Sequence, residues 1–123
     1  MQGELRTYQG ACHCGAVKFE AQTTLSPALR CNCSLCRRKG AVMAAVLPEH
    51  FKILSGEDSL TLYQSNTRIA KHYFCKVCGI YTFHRPRTNQ NIYRVNVGCL
   101  AGVDALALEV GLNDGASLSI VAE

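Results

Sequence analysis

Phe74-Cys75-Lys76-Val77-Cys78-Gly79-Ile80 decides the fold. Two cysteines stand three apart in a turn, and the runs on either side, residues 69–74 and 80–83, read as strands. Gly79, directly after the second cysteine, permits the positive φ that turns backbone amides in towards thiolates. A two-cysteine knuckle of this kind supplies half of a tetrahedral metal site, so a partner must be found elsewhere in the chain. Cys12-His13-Cys14-Gly15 is that partner, a second knuckle with its own following glycine. Cys14 and Cys75 lie 61 residues apart, so one ion between the knuckles would staple distant turns. Such a site contributes folding energy directly, because the unfolded chain cannot assemble it.

Working outward, short β-like runs alternate with turn signals along the whole chain. Residues 17–21 alternate apolar and polar. Residues 42–47 form a continuous apolar run ended by Pro48. Residues 51–54 and 60–63 flank Ser55-Gly56-Glu57-Asp58, a strong turn signal, and residues 92–97 complete the set. Residues 103–110 fit a short helix or a last strand. A 3.6-residue apolar period nowhere persists over three turns, so little helix is expected. The reading is a mainly antiparallel β domain with its cysteines where strands turn.

The chain has 123 residues, one domain of ordinary size spanning 1–123. Hydrophobic residues are 48% and charged residues 18%, which excludes an intrinsically disordered chain. The longest apolar run has strand length, far short of the roughly 20 residues that cross a bilayer. Residues 1–6 carry no apolar signal-peptide core, so a cytoplasmic location is expected. In that compartment eight cysteines point to metal rather than disulfides. The net charge is +4, with basic residues clustered only at Arg37-Arg38-Lys39. A nucleic-acid footprint calls for a denser basic stripe, whereas a small anionic ligand suits this charge.

Cys31-Asn32-Cys33-Ser34-Leu35-Cys36 is a third group of a different kind. It offers three thiolates within six residues, enough to cap one face of an ion from a single loop. The fourth position is then open to water or substrate, which is the pattern of catalytic zinc. Cys99 stands alone. An alternative partition adds Cys99 to this group, closes both sites and makes a purely structural zinc module. With three thiolates on Zn²⁺ the site carries a formal −1, which weakens Lewis acidity and disfavours hydroxide formation. A soft, thiolate-rich zinc instead suits capture of an incoming thiol as thiolate, poised to attack an electrophile such as an aldehyde.

Three ordered motifs, Gly10-Ala11-Cys12-His13-Cys14-Gly15-Ala16-Val17, Cys31-Asn32-Cys33-Ser34-Leu35-Cys36-Arg37 and the Phe74–Ile80 stretch quoted above, resemble the family of glutathione-dependent formaldehyde-activating enzymes. That family also contains the centromere protein V-like proteins. His84-Arg85 and Asn96-Val97-Gly98-Cys99-Leu100 resemble the family's later segments, so the resemblance spans about residues 10–100. It implies a zinc-bearing fold of the β-tent type, akin to two packed zinc ribbons. It implies a structural zinc on Cys12, Cys14, Cys75 and Cys78 and a catalytic zinc on Cys31, Cys33 and Cys36, two ions per chain. The implied activity joins formaldehyde to the thiol of glutathione, giving S-hydroxymethylglutathione, and is classed as a carbon–sulfur lyase by its reverse direction.

Several residues keep two readings. Arg37 and Arg38, with Lys39, suit the two carboxylates of glutathione and equally suit an exposed basic turn. His13 reads as outward or supporting a ligand, since four thiolates already complete the first site. His72 and His84 are either proton shuttles for the adduct oxygen or hydrogen-bonded strand histidines. Cys99 is a spare ligand or a small buried hydrophobe. Tyr73, Phe74, Tyr81 and Phe83 alternate around the third motif and are expected to pack the core. Two other functions fit the same residues. One is a non-catalytic zinc module that binds protein or nucleic acid, and the other is a lyase acting on another thiol or electrophile.

Overall fold

Alternation at the start of the chain translates directly into a half-buried strand. In β2 (Lys18–Thr23), Phe19 and Ala21 are buried while Lys18 is exposed, as a pleat of period two demands. The computed structural model describes residues 4–64, 68–87 and 89–114; the N-terminal reading of residues 1–3 lies outside them. The remaining strands are β1 (Arg6–Ala11), β3 (Ala28–Cys31), β4 (Met43–Val46), β5 (Phe51–Ser55), β6 (Leu60–Tyr63), β7 (Lys71–Cys75), β8 (Tyr81–Arg85), β9 (Tyr93–Asn96) and β10 (Val110–Asn113). One short helix, α1 (Ser34–Lys39), follows β3. The protein is thus mainly β with little helix, as expected.

The strands form two sheets. The smaller has the order β1-β2-β5, and the larger β10-β3-β4-β9-β8-β7-β6. All described strand pairs are antiparallel except β10 with β3, where Val110 to Asn113 run alongside Ala28 to Cys31. Residues 103–110 hold a 3-10 turn at Ala105–Ala107 and only the first residue of the last strand.

The core lies between the sheets. Phe19 and Ala21 of the small sheet meet Ala44, Val46, Phe83 and Val95 of the large one. Ring centroids of Phe51 and Phe83 stand 4.7 Å apart, those of Phe51 and Tyr93 4.5 Å, and those of Tyr73 and Phe83 4.8 Å. Burying a side chain such as Phe19 completely stabilises the fold by about 1.5–3 kcal/mol.

The turn at 55–58 is present, with Gly56 at φ +82° and a 3-10 turn at Glu57–Ser59. The strands it joins do not pair with each other: β5 pairs with β2 and β6 with β7. The chain therefore changes sheets here, and it does so between the two knuckles. Gly56 sits so close to the Ala16 carbonyl that a Cβ would lie 1.8 Å from its oxygen. Three residues on, the Ser59 carbonyl accepts from Lys76 N at 2.8 Å. This crossing holds the β1–β2 turn beside the β7–β8 turn.

Candidate metal centres and the polar cluster between them

Both knuckles are built alike. Cys12 N donates to the Val17 carbonyl (3.1 Å) and Gly15 N to the Cys12 carbonyl (3.2 Å); Cys75 N donates to the Ile80 carbonyl (2.9 Å) and Gly79 N to the Cys75 carbonyl (2.8 Å). Gly15 and Gly79 take φ of +81° and +78°, as their positions predicted. Amides then point at sulfur: Val17 N at Cys12 Sγ (3.3 Å), and Val77 N and Cys78 N at Cys75 Sγ (3.4 and 3.5 Å). The four sulfurs of Cys12, Cys14, Cys75 and Cys78 lie within 4.8 Å of one another. The amide of Cys14, then that of Ile80, lower Cys78 to about 6. Four soft donors so grouped, with amides already stabilising negative charge on sulfur, fit zinc.

The second group forms at the start of α1. Cys31 ends β3, Cys33 is the N-cap, and its sulfur accepts from Cys36 N at 3.3 Å. The sulfurs of Cys31, Cys33 and Cys36 also lie within 4.8 Å of one another. Asn113 on β10 donates its side-chain amide to Cys31 Sγ at 3.5 Å, so the parallel strand fixes the first cysteine of the loop. Crowding dominates the electrostatics here. Cys31 first, then burial, then Cys33 hold Cys36 far above the ordinary thiol range. Three sulfurs so close that two of them oppose the ionisation of Cys36 are a donor set that a divalent cation satisfies.

Cys99 joins neither group. It is half-buried, its sulfur points to the Tyr81 carbonyl at 3.6 Å, and burial pushes it up to about 11 before the charges of Cys12 and Cys78 add to that. The sulfurs that gather with Cys31, Cys33 and Cys36 thus exclude that of Cys99, which departs from the partition that would pair them. His13 is exposed. Arg37 and Arg38 are exposed on α1, and Arg38 Nη1 donates back to the Ser34 carbonyl at 2.6 Å.

His72 and His84 are buried, paired across β7 and β8, with rings 5.1 Å apart. Tyr81 joins them. Its hydroxyl lies 3.1 Å from His72 Nδ1 and is hydrogen-bonded to His84 Nδ1. Strict alternation would instead set Tyr81 beside Phe83 in the core. The register shifts by one between Tyr73 and Phe74, which pair with Phe83 and Tyr81, leaving Thr82 as the extra residue. A bulge of this kind re-aims the next side chain, and it moves Tyr81 onto the histidine face. Thr82 is fully buried and its hydroxyl donates to the Tyr73 carbonyl at 2.9 Å. Tyr73 and Phe83 pack the core as expected, while Tyr81 belongs to this polar cluster.

Lys39 completes the cluster. Nζ lies 3.0 Å from His72 Nδ1 and 3.3 Å from the centroid of the Tyr81 ring. Burial lowers Lys39 to about 8 against the opposing charges of Cys36 and Cys33, and burial likewise holds Tyr81 well above the usual phenol range, with Cys36 and Cys33 adding to it. The charges of the three-cysteine loop therefore act on the cluster, and α1 carries both Cys36 and Lys39. The sequence carries no local signal for Tyr81 or Asn113 in a site, and it groups Lys39 with Arg37 and Arg38 as a carboxylate contact or an exposed basic turn, whereas Lys39 alone of the three turns inward. Its one signal is the three-residue step from Cys36, visible once α1 is known to be helical.

A sequence model of the glutathione-dependent formaldehyde-activating enzymes matches residues 7–111. Among solved structures, the crystal structure of a Rhodobacter sphaeroides protein, a structural-genomics target, is similar over 85% of this chain and 99% of that one, with 46% sequence identity and a TM-score of 0.83. The matched residues include both cysteine groups, α1 and the polar cluster. The chain belongs to the glutathione-dependent formaldehyde-activating enzyme family.

Proposed function

We propose that this protein joins formaldehyde to the thiol of glutathione, giving S-hydroxymethylglutathione, at the site formed by Cys31, Cys33 and Cys36. One observation carries the reading. These three sulfurs come from one loop, and among the described residues no other cysteine, histidine or carboxylate joins their group. Family membership then supports glutathione and formaldehyde as the pair. A zinc ion held by the three thiolates supplies a position where a thiol is accepted as its thiolate.

The sulfur of glutathione attacks the aldehyde carbon. The new bond is carbon–sulfur, the carbonyl π pair moves to oxygen, and the proton given up by the thiol ends on that oxygen. In reverse the same step is a carbon–sulfur lyase reaction. Arg37 and Arg38, exposed directly after Cys36, offer guanidinium contacts to the carboxylates of the tripeptide. Cys12, Cys14, Cys75 and Cys78 hold a second zinc as a staple between the hairpins. We place the protein in the cytoplasm, where thiols stay reduced. No helix among the described residues is long and apolar enough to cross a membrane.

The test compares glutathione with S-methylglutathione, which keeps both carboxylates but supplies no thiolate. Glutathione is expected to bind the zinc-loaded protein, and exchange NMR near equilibrium is expected to show faster adduct formation than the uncatalysed background. Equal binding of S-methylglutathione would refute sulfur capture. Binding of neither would make the protein a non-catalytic zinc module.

A further inference from the structure

Of the three consecutive basic residues on α1, only Lys39 turns inward. It is half-buried where Arg37 and Arg38 are exposed. It follows Cys36 by three residues, which on a helix is the same face. Its ammonium is held from two directions, by His72 Nδ1 at 3.0 Å and by the face of the Tyr81 ring at 3.3 Å. Those two groups are themselves fixed, because the Tyr81 hydroxyl bonds to both His72 and His84. Among the described residues no carboxylate pairs with Lys39.

An ammonium has three donors and no acceptor. His72 Nδ1 takes one, and the ring face takes charge without taking a proton. Donors remain for a ligand. A half-buried cation without a carboxylate partner is costly unless something negative comes to it. Cys36 lies one turn back on the same helix face, and negative charge on Cys36 and Cys33 favours the Lys39 ammonium. With three thiolates around a divalent ion the loop carries a formal −1, which Lys39 offsets. A further negative oxygen arising there needs a donor of this kind already in place.

We propose that Lys39 is the anion-binding residue of the three-cysteine site, holding the oxygen that becomes negative when a thiol sulfur adds to an aldehyde carbon, and that His72, Tyr81 and His84 are positioning residues that aim it. The inference rests on the thiol–aldehyde reading above and names the group that handles its charge. As the carbon–sulfur bond forms, the carbonyl π pair moves to oxygen. The Lys39 N–H groups hold that oxygen until the proton released from the thiol reaches it.

The experiment is calorimetric titration of the zinc-loaded protein with two small thiols, mercaptoacetate and ethanethiol. The first carries a negative oxygen close to its sulfur and the second does not. Zinc content is measured after each titration, so that metal loss is not scored as binding. The wild type is expected to prefer mercaptoacetate by about tenfold, the worth of one charge-assisted hydrogen bond. Lys39→Met is expected to lose the preference while keeping both zinc ions, and Lys39→Arg to retain most of it. Tyr81→Phe keeps the ring under the ammonium but frees the histidines, and the preference is expected to fall part-way. Equal affinities in the wild type, or an unchanged preference in Lys39→Met, would overturn the proposal. If Lys39→Met does not fold, Lys39→Gln, which removes the charge and keeps a polar side chain, takes its place with the same criterion. Because the readout is equilibrium binding, the two readings fail separately. A wild type that shows the preference but does not speed the glutathione–formaldehyde reaction sinks the substrates and leaves Lys39 in place.

Discussion

Cys14 Sγ lies 3.7 Å from Cys75 Sγ, although 61 residues separate them in the chain. Cys14 belongs to the turn that closes the small sheet's hairpin, and Cys75 ends a strand of the large sheet. A cation gripped between them closes a long loop and ties one sheet to the other, which is where a cross-link restricts the unfolded chain most. The three-cysteine loop spans six residues and closes nothing distant.

The two groups should therefore respond differently to substitution. Cys12→Ser and Cys78→Ser are expected to lower the melting temperature severely, since metal binding at such a staple is worth of order 10 kcal/mol of folding free energy. Cys33→Ser is expected to melt close to the wild type while losing thiol binding, because serine is itself a good N-cap and α1 keeps its first turn. Thermal melts of the three variants decide it; an early melt for Cys33→Ser would show that the loop is structural too.

Metal content should follow the same division. Elemental analysis at saturation is expected to give about two zinc ions per chain, by the count of four and three ligands. A chelator is expected to remove the ion of the three-cysteine loop first, since three ligands hold less firmly than four. One tightly held ion at saturation, or iron in its place, would count against the scheme.

Acid should destabilise the fold through its buried histidines. Burial, then Lys39, lowers His72 to about 4; burial, then His72, Lys39 and Arg94, holds His84 well below its usual value. In the unfolded chain both titrate near 6.5. Below that pH the unfolded state takes up protons that the folded state refuses, so stability is full above about 6.5 and falls as pH drops towards about 4. The limiting slope is about 1.4 kcal/mol per pH unit for each histidine. Denaturant titrations of wild type and His72→Gln at saturating zinc should show a shallower loss in the variant. Acid also displaces metal from thiolates in both proteins, so the comparison rests on the difference in slope. Identical slopes would mean that His72 is not held neutral by the fold.

Gly56 marks the change of sheets, and its replacement should be costly. Gly56→Ala places a Cβ at φ +82° against the Ala16 carbonyl, a clash that only backbone movement relieves. It is expected to destabilise by at least about 2 kcal/mol. Gly40, which ends α1 at φ +66° with open space around it, is the comparison. Gly40→Ala is expected to cost only about 1 kcal/mol, the penalty of the left-handed conformation alone. Equal losses in urea unfolding would show that the crossing is not tightly held.

Much of the molecule was legible in the chain. The knuckles at Cys12–Gly15 and Cys75–Gly79, the three-cysteine loop, the alternation of β2 and the turn at Gly56 are each set within about six residues. Over that distance covalent geometry, glycine φ and neighbouring amides determine what a thiolate meets. Other features arise only where strands distant in sequence pair. The Gly56 turn looks the same whether it joins paired strands or sends the chain from one sheet to the other. Tyr81 reads as a core residue until one residue of register shift on β8 moves it beside His72 and His84. Asn113 meets Cys31 because β10 lies parallel to β3, a pairing across 82 residues. The sequence by itself determined which residues can bind metal, because ligand spacing is local. The tertiary structure decided which charges and protons surround them, because strand register selects the face on which each side chain emerges, and one residue of slip reverses it.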